Sequence, residues 1–213
     1  MAEGITIDLS WQGSKAFAEL PDNWRNAARL YLEGNQLLAL PVEIGTCRQL
    51  EALYLDDNQL TAVPDSIGRL TSLKYLSLHN NRLTHLPQSL WKLEKLEMLS
   101  LGDNPVGRLP EQIGRLTGLT ALYIHGMGLT AVPDSLGQLT RLSTLDLGHN
   151  MLPELPESIG NLTNLTDFLY LSDNKLSTLP ETMAGLKKLA YLNLTHNRFT
   201  ELPSFIGRLS GLR

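Results

Sequence analysis

The chain has 213 residues, 42% of them apolar, and its 18 Lys and Arg are scattered among 22 Asp and Glu for a net charge of −4. That dispersal excludes the concentrated basic stripe of a nucleic-acid binder. No run of eighteen apolar residues is present to span a bilayer, and the one cysteine, Cys47, excludes an intrachain disulfide.

In chain order, the first segment is Met1-Ala2-Glu3-Gly4, which is acidic and lacks the long apolar stretch of a secretory signal. Ile5-Thr6-Ile7-Asp8-Leu9 alternates as a strand does, and Leu20-Pro21 followed by Trp24 imitates the later units. Residues 1–26 are therefore expected to form an N-terminal cap, with Trp11, Phe17 and Trp24 plugging the open end of a core.

From Ala27 a pattern repeats eight times. Its second copy reads Leu50-x-x-Leu53-x-Leu55-x-x-Asn58-x-Leu60, then Val63-Pro64, Ile67-Gly68 and Leu70. An asparagine column runs through Asn35, Asn58, Asn81, Asn104, Asn150, Asn174 and Asn197, and a proline column from Pro41 to Pro203. The step is 23 residues, except for 24 between Asn150 and Asn174. One unit cannot bury its own leucines, but a stack of units can. The alternating L-x-L stretch predicts a short strand with leucines inward, paired in parallel with its neighbours. Asparagine can satisfy backbone groups where the chain leaves the strand, and proline then ends any strand. I-G-x-L predicts a short helical or 3-10 piece on the convex side.

Departures follow the same order. Cys47 stands in a leucine column and reads as a buried small hydrophobe. Met127 replaces the asparagine within His125-Gly126-Met127-Gly128, which predicts an altered, more mobile turn. Gly126-x-Gly128-x-x-Ala131 imitates a dinucleotide fingerprint, but Pro133 interrupts the helix such a site requires. The N-x-T triplets at Asn161, Asn164 and Asn193 are read as accidents of the repeat. The extra residue of the 24-residue unit predicts a bulge near Phe168–Leu169 that pushes a side chain toward the strand face. Phe205 stands where the other units mostly carry a small or polar residue. The eight repeats are taken as residues 27–213, with no recognisable C-terminal cap. The end at Arg213 would then leave an uncapped edge open to self-association or to a following segment.

These eight in-register copies resemble the leucine-rich-repeat (LRR) family over nearly the whole chain. The L-P-x-x-I-G-x-L back half is similar to the intracellular subtype found in Shoc-2-like Ras-pathway scaffolds, plant intracellular Ras-group repeat proteins, and bacterial effectors and kinases. The resemblance implies an α/β solenoid: a right-handed horseshoe with a concave parallel β-sheet. It also implies a cytoplasmic protein, or a secreted bacterial effector acting inside a host cell.

Positions three, five, seven and eight of each strand segment point outward. All six tyrosines fall at the third or fifth: Tyr31, Tyr54, Tyr75, Tyr123, Tyr170 and Tyr191. His79, His125, His149 and His196 join them, with Asp56, Asp146 and further carboxylates. Tyrosine is absent from the convex segments and is enriched in binding hot spots. These twelve residues are the expected contact set for a protein partner, whose basic patch would complement the acidic lining. His125 and His149 lie on adjacent strands, but their neighbours complete no metal-ligand set. No H-E-x-x-H, C-x-x-C pair, G-x-S-x-G or P-loop motif occurs, so no catalysis and no cofactor are expected. The alternative reading is the substrate-recognition region of a larger enzyme, such as an effector ubiquitin ligase or a repeat-bearing kinase.

Overall fold

The computed structural model describes residues 4–15, 17 and 20–213, with Asp22 as backbone only. The chain divides into two compact units, the first ending at Pro105 and the second starting at Val106.

The first unit holds β1 (Ile5–Asp8), β2 (Ala27–Tyr31), β3 (Ala52–Tyr54), β4 (Tyr75–Ser77) and β5 (Met98–Ser100). Each pairs in parallel with the next, so chain order and spatial order coincide. The second unit repeats the scheme with β6 (Ala121–Tyr123), β7 (Thr144–Asp146), β8 (Phe168–Tyr170) and β9 (Tyr191–Asn193). A 3-10 turn follows each proline of the column from Pro41 to Pro180, as at Asp65–Arg69 and Asp134–Gln138. Among the described residues no α-helix forms. Parallel strands joined through 3-10 turns are the solenoid architecture that the repeat implied.

The leucine columns make the core. Leu30, Leu53, Leu76 and Leu99 in the first unit and Leu122, Leu145 and Leu169 in the second are fully buried mid-strand leucines. Each such side chain contributes roughly 1.5–3 kcal/mol on leaving water. Cys47 is buried among them, and burial pushes its thiol above the ordinary cysteine value.

The asparagine column holds the turns. Asn58 Nδ2 donates to the carbonyls of Leu32, Leu55 and Asp56, and its Oδ1 accepts the Leu37 N–H at 3.0 Å. Asn81 repeats this one unit on, donating to Leu55 and Leu78 and accepting from Leu60. Each asparagine thus ties its own turn to the preceding one. On the back, glycine is demanded by proximity. A Cβ on Gly68 would lie 2.6 Å from the Ser89 carbonyl oxygen, so at this position the next 3-10 turn packs too closely for a larger side chain.

Several expectations need correction. Phe17 and Trp24 are buried and meet edge to face at 5.6 Å, but Trp11 is 70% exposed. Trp11 occupies the strand-exit turn, where its backbone is left-handed and its ring lies against Gly34 instead of in the core. The bulge lies earlier than Phe168–Leu169. Phe168, Leu169 and Tyr170 hold unbroken register with Thr144, Leu145 and Asp146. The extra residue is absorbed at Thr166–Asp167, which accept separately from Ala190 and Tyr191. One carbonyl, that of Lys74, does both jobs for Glu97 and Met98 in an ordinary repeat. Phe168 is therefore not the extra residue: it keeps the ordinary third position of its strand, faces outward and is 43% exposed.

At Met127 the turn is altered one residue downstream. Gly126 adopts the left-handed backbone common to this position, but Gly128 is left-handed too (φ +71°), a feature shared at that place only by Gly13 (φ +73°), two residues after Trp11, among the described residues. Met127 itself is buried, and Asn150 Oδ1 accepts both its N–H and that of Leu129. The decoy fingerprint leads into an extended segment and the 3-10 turn Asp134–Gln138 instead of a helix. Phe205 is fully buried, so the odd residue of its column serves packing.

Candidate partner-binding face

In each unit the strand residues between the buried leucines form one outward face. In the first unit, Tyr31 and Tyr54 occupy the same column on paired strands and stack with ring centroids 5.0 Å apart and planes 3° apart. Burial first, and neighbouring Tyr31, Tyr75, Glu33 and Asp56 second, push the Tyr54 hydroxyl above its ordinary value, so it stays a neutral donor at pH 7. Tyr75 donates to Glu97 at 3.0 Å, which raises its own pKa.

Asp56 Oδ1 accepts the Ser77 hydroxyl at 2.5 Å and the His79 N–H at 2.7 Å. Burial nevertheless holds its carboxyl above the usual value, outweighing both bonds. His79 Nε2 lies 3.7 Å from Asp103.

In the second unit Tyr123 pairs in register with Asp146, and Asp146 with Tyr170. Burial first, then Asp146 and Asp167, raises the Tyr123 hydroxyl. His125 Nδ1 lies 3.3 Å from Asp146 Oδ2. Asp173 is shared by two histidines, with His149 at 3.6 Å and His196 at 3.1 Å. Tyr170 and Tyr191 meet at 5.6 Å, and Phe168 joins both, at 5.7 and 6.0 Å.

The structure thus places the expected residues in two sets, one per unit, and puts His149 and His196 at a position with its own constraint. Trp11, Asp57, Asn80, Asp103, His149, Asp173 and His196 all have φ between 50° and 60°, as glycines 34 and 126 do at 64–65°. Asn, Asp and Gly tolerate that backbone best, which is one physical reason for polar residues there. The sequence reading does not reach Asp167 or Glu97, and it names Phe168 as the site of a bulge and not as a member of the contact set.

Away from this face, the second unit carries an open trough of about 660 Å³. Pro133, Pro153 and Pro156 line it with Arg108, Glu111, Asp134 and Glu154, so its charge is mixed.

Family models agree with the repeat. A leucine-rich repeat region matches residues 65–150, and two further leucine-rich-repeat models match 167–199 and 49–70 with 141–162. Together they take in most of the chain. It belongs to the leucine-rich-repeat family.

Among solved structures, this repeat protein is similar to an LRR protein of Leptospira interrogans at 30% identity, covering 97% of this chain and 64% of that one, with a TM-score of 0.81. It is similar to the Arabidopsis receptor kinase HAESA, solved with the peptide hormone IDA and the co-receptor SERK1. There the identity is 28%, coverage 98% of this chain and 37% of that one, and the TM-score 0.83. An internalin of Listeria monocytogenes shares the fold at 24% identity, with 93% and 56% covered and a TM-score of 0.81. The chain therefore spans less than two thirds of each of these relatives. No curated protein sequence matches.

Proposed function

We propose that this LRR protein is a binding module, not a catalyst, and that the outward face of its strands receives a protein or peptide partner. The observation that carries the reading is the segregation of the aromatic side chains. All six tyrosines of the chain lie in strands, at positions that alternate with the core residues. Tyrosine offers a large, stiff contact area at low entropy cost and is enriched where binding energy concentrates. The similarity to HAESA, solved with a peptide hormone, supports a peptide or protein ligand. Carboxylates such as Asp56, Asp103, Asp146 and Asp173 favour a partner with basic residues.

The test immobilises the chain and a Tyr54→Ala/Tyr123→Ala variant and compares what each retains from extracts of the source cells. The reading expects retention by the first and loss by the second, with both unfolding at similar temperatures. Equal retention would move the site off this face.

A second reading makes the chain the recognition portion of a kinase-bearing protein, and the similarity to a receptor kinase favours it. It keeps the same face and adds a reaction carried out elsewhere. Phosphoryl transfer to the retained partner by the full-length gene product separates the two.

A further inference from the structure

Phe168, Tyr170 and Tyr191 are the densest group of exposed aromatic rings in the second unit. Phe168 and Tyr191 are 43% and 44% exposed, unusual for such large apolar surfaces. The rings do not form one flat stack. Phe168 lies 19° from the plane of Tyr170 but 69° from that of Tyr191, and Tyr170 and Tyr191 are inclined at 55°. The cluster therefore presents ring faces in more than one direction.

The bulge adds a carboxylate to this arrangement. Its extra residue at Thr166–Asp167 leaves Phe168 in register with Thr144 and sets Asp167, also exposed, directly before it. Asp167 is held only by long hydroxyl contacts, from Thr144 at 3.4 Å and Thr166 at 3.3 Å. Asp146, in register with Tyr170, accepts the Gly148 N–H and keeps its second oxygen toward His125. No lysine or arginine occupies a strand position from β6 to β9. Ring faces carry a negative quadrupole, and carboxylates stand beside them with no cation from the strands to neutralise either.

We propose that this cluster is an arginine-binding subsite, in which a guanidinium from an extended partner segment lies on the Phe168–Tyr170–Tyr191 rings and pairs with Asp167, with Asp146 adding to the field. Arginine suits it better than lysine, because a planar, weakly hydrated cation stacks on rings while its N–H edge reaches a carboxylate. The inference rests on the proposed use of the strand face and names the chemistry of one part of it.

The experiment is an NMR titration of the full chain with a capped Gly-Arg-Gly-Arg-Gly peptide. Peptides with citrulline or lysine in place of arginine are titrated in parallel. Shifts are expected in the rings of Phe168, Tyr170 and Tyr191 and the amides of 166–170. The citrulline peptide should bind at least about fivefold more weakly, and lysine less tightly than arginine. Phe168→Ala and Asp167→Asn should each weaken arginine binding by about threefold to fivefold, the factor expected of one exposed cation–π or ion-pair contact. Shifts spread over the acidic surface, shifts centred on Glu111, Asp134 and Glu154, or equal affinity for citrulline would overturn the subsite. If they do so while Tyr54→Ala/Tyr123→Ala still abolishes partner retention, the subsite alone is lost. If that double variant retains the partner as well, the strand-face reading goes with it.

Discussion

Tyr31 and Tyr54 stack almost perfectly parallel, 3° apart and 5.0 Å between centroids, on neighbouring strands of the first unit. The repeat forces this, because equal positions in successive copies lie one strand spacing apart. Two phenols in register make a rigid ledge whose order is already established before any partner arrives. Tyr54→Ala is expected to weaken partner binding at least about tenfold, the scale of an aromatic hot spot. Tyr54→Phe should keep the stack and most of the affinity. Titration calorimetry on both variants decides it, and equal losses would place the energy in the hydroxyl instead of the ring.

Asn58 is the clearest stability prediction. Asn58→Ala strips the Leu37 N–H of its acceptor and the Leu32, Leu55 and Asp56 carbonyls of a shared donor. Buried polar groups left unpaired cost about 1–3 kcal/mol, so urea unfolding should show a loss of at least that size. A change within error would mean that water replaces the side chain in these turns.

The 3-10 turns offer a matched pair. Gly68→Ala drives a methyl into the Ser89 backbone at 2.6 Å, while the same change at Gly207 meets nothing within 4 Å. Overpacking of this kind costs about 1–3 kcal/mol. Thermal melts should separate the two variants clearly, with Gly207→Ala close to the parent.

Much of this was legible in the sequence because it is written eight times. Leucine, asparagine and proline columns announce the core, the turns and the 3-10 segments, and Asn58 bonds as its residue type implies. What was not legible is what one copy does alone. Trp11 looked like a core plug because it is large and apolar, but its place in the left-handed column turns it to solvent. The insertion was visible as a 24-residue step. Its location depended on which carbonyls could take separate partners, and that is settled by backbone pairing at Thr166–Asp167. The polarity of the eighth-position residues points to a contact column. The shared φ near +54° shows that conformation constrains them as well.

Asp56 gives a pH prediction with a definite sign. Its folded-state pKa is raised by burial, so the protonated form is favoured in the folded chain. The stability it supplies is complete below the ordinary value of 3.8 and is lost as pH rises through the higher folded value. Asp56→Asn keeps an oxygen for both hydrogen bonds, since the Ser77 hydroxyl and the His79 N–H share Oδ1. The variant should therefore unfold later than the parent at pH 7, and the difference should vanish below pH 3.8. A variant less stable than the parent at pH 7 would show that the carboxylate's charge is needed.

The central claim is tested most directly by hydroxyl-radical footprinting, read residue by residue, of the free chain and of its complex with the retained partner. Because all six tyrosines lie in strands, a partner seated on that face should slow modification of several together, with Tyr191, the most exposed of them, giving the largest change. Unchanged tyrosine reactivity, with protection appearing instead around Val42 or along the trough at Glu111 and Glu154, would contradict it.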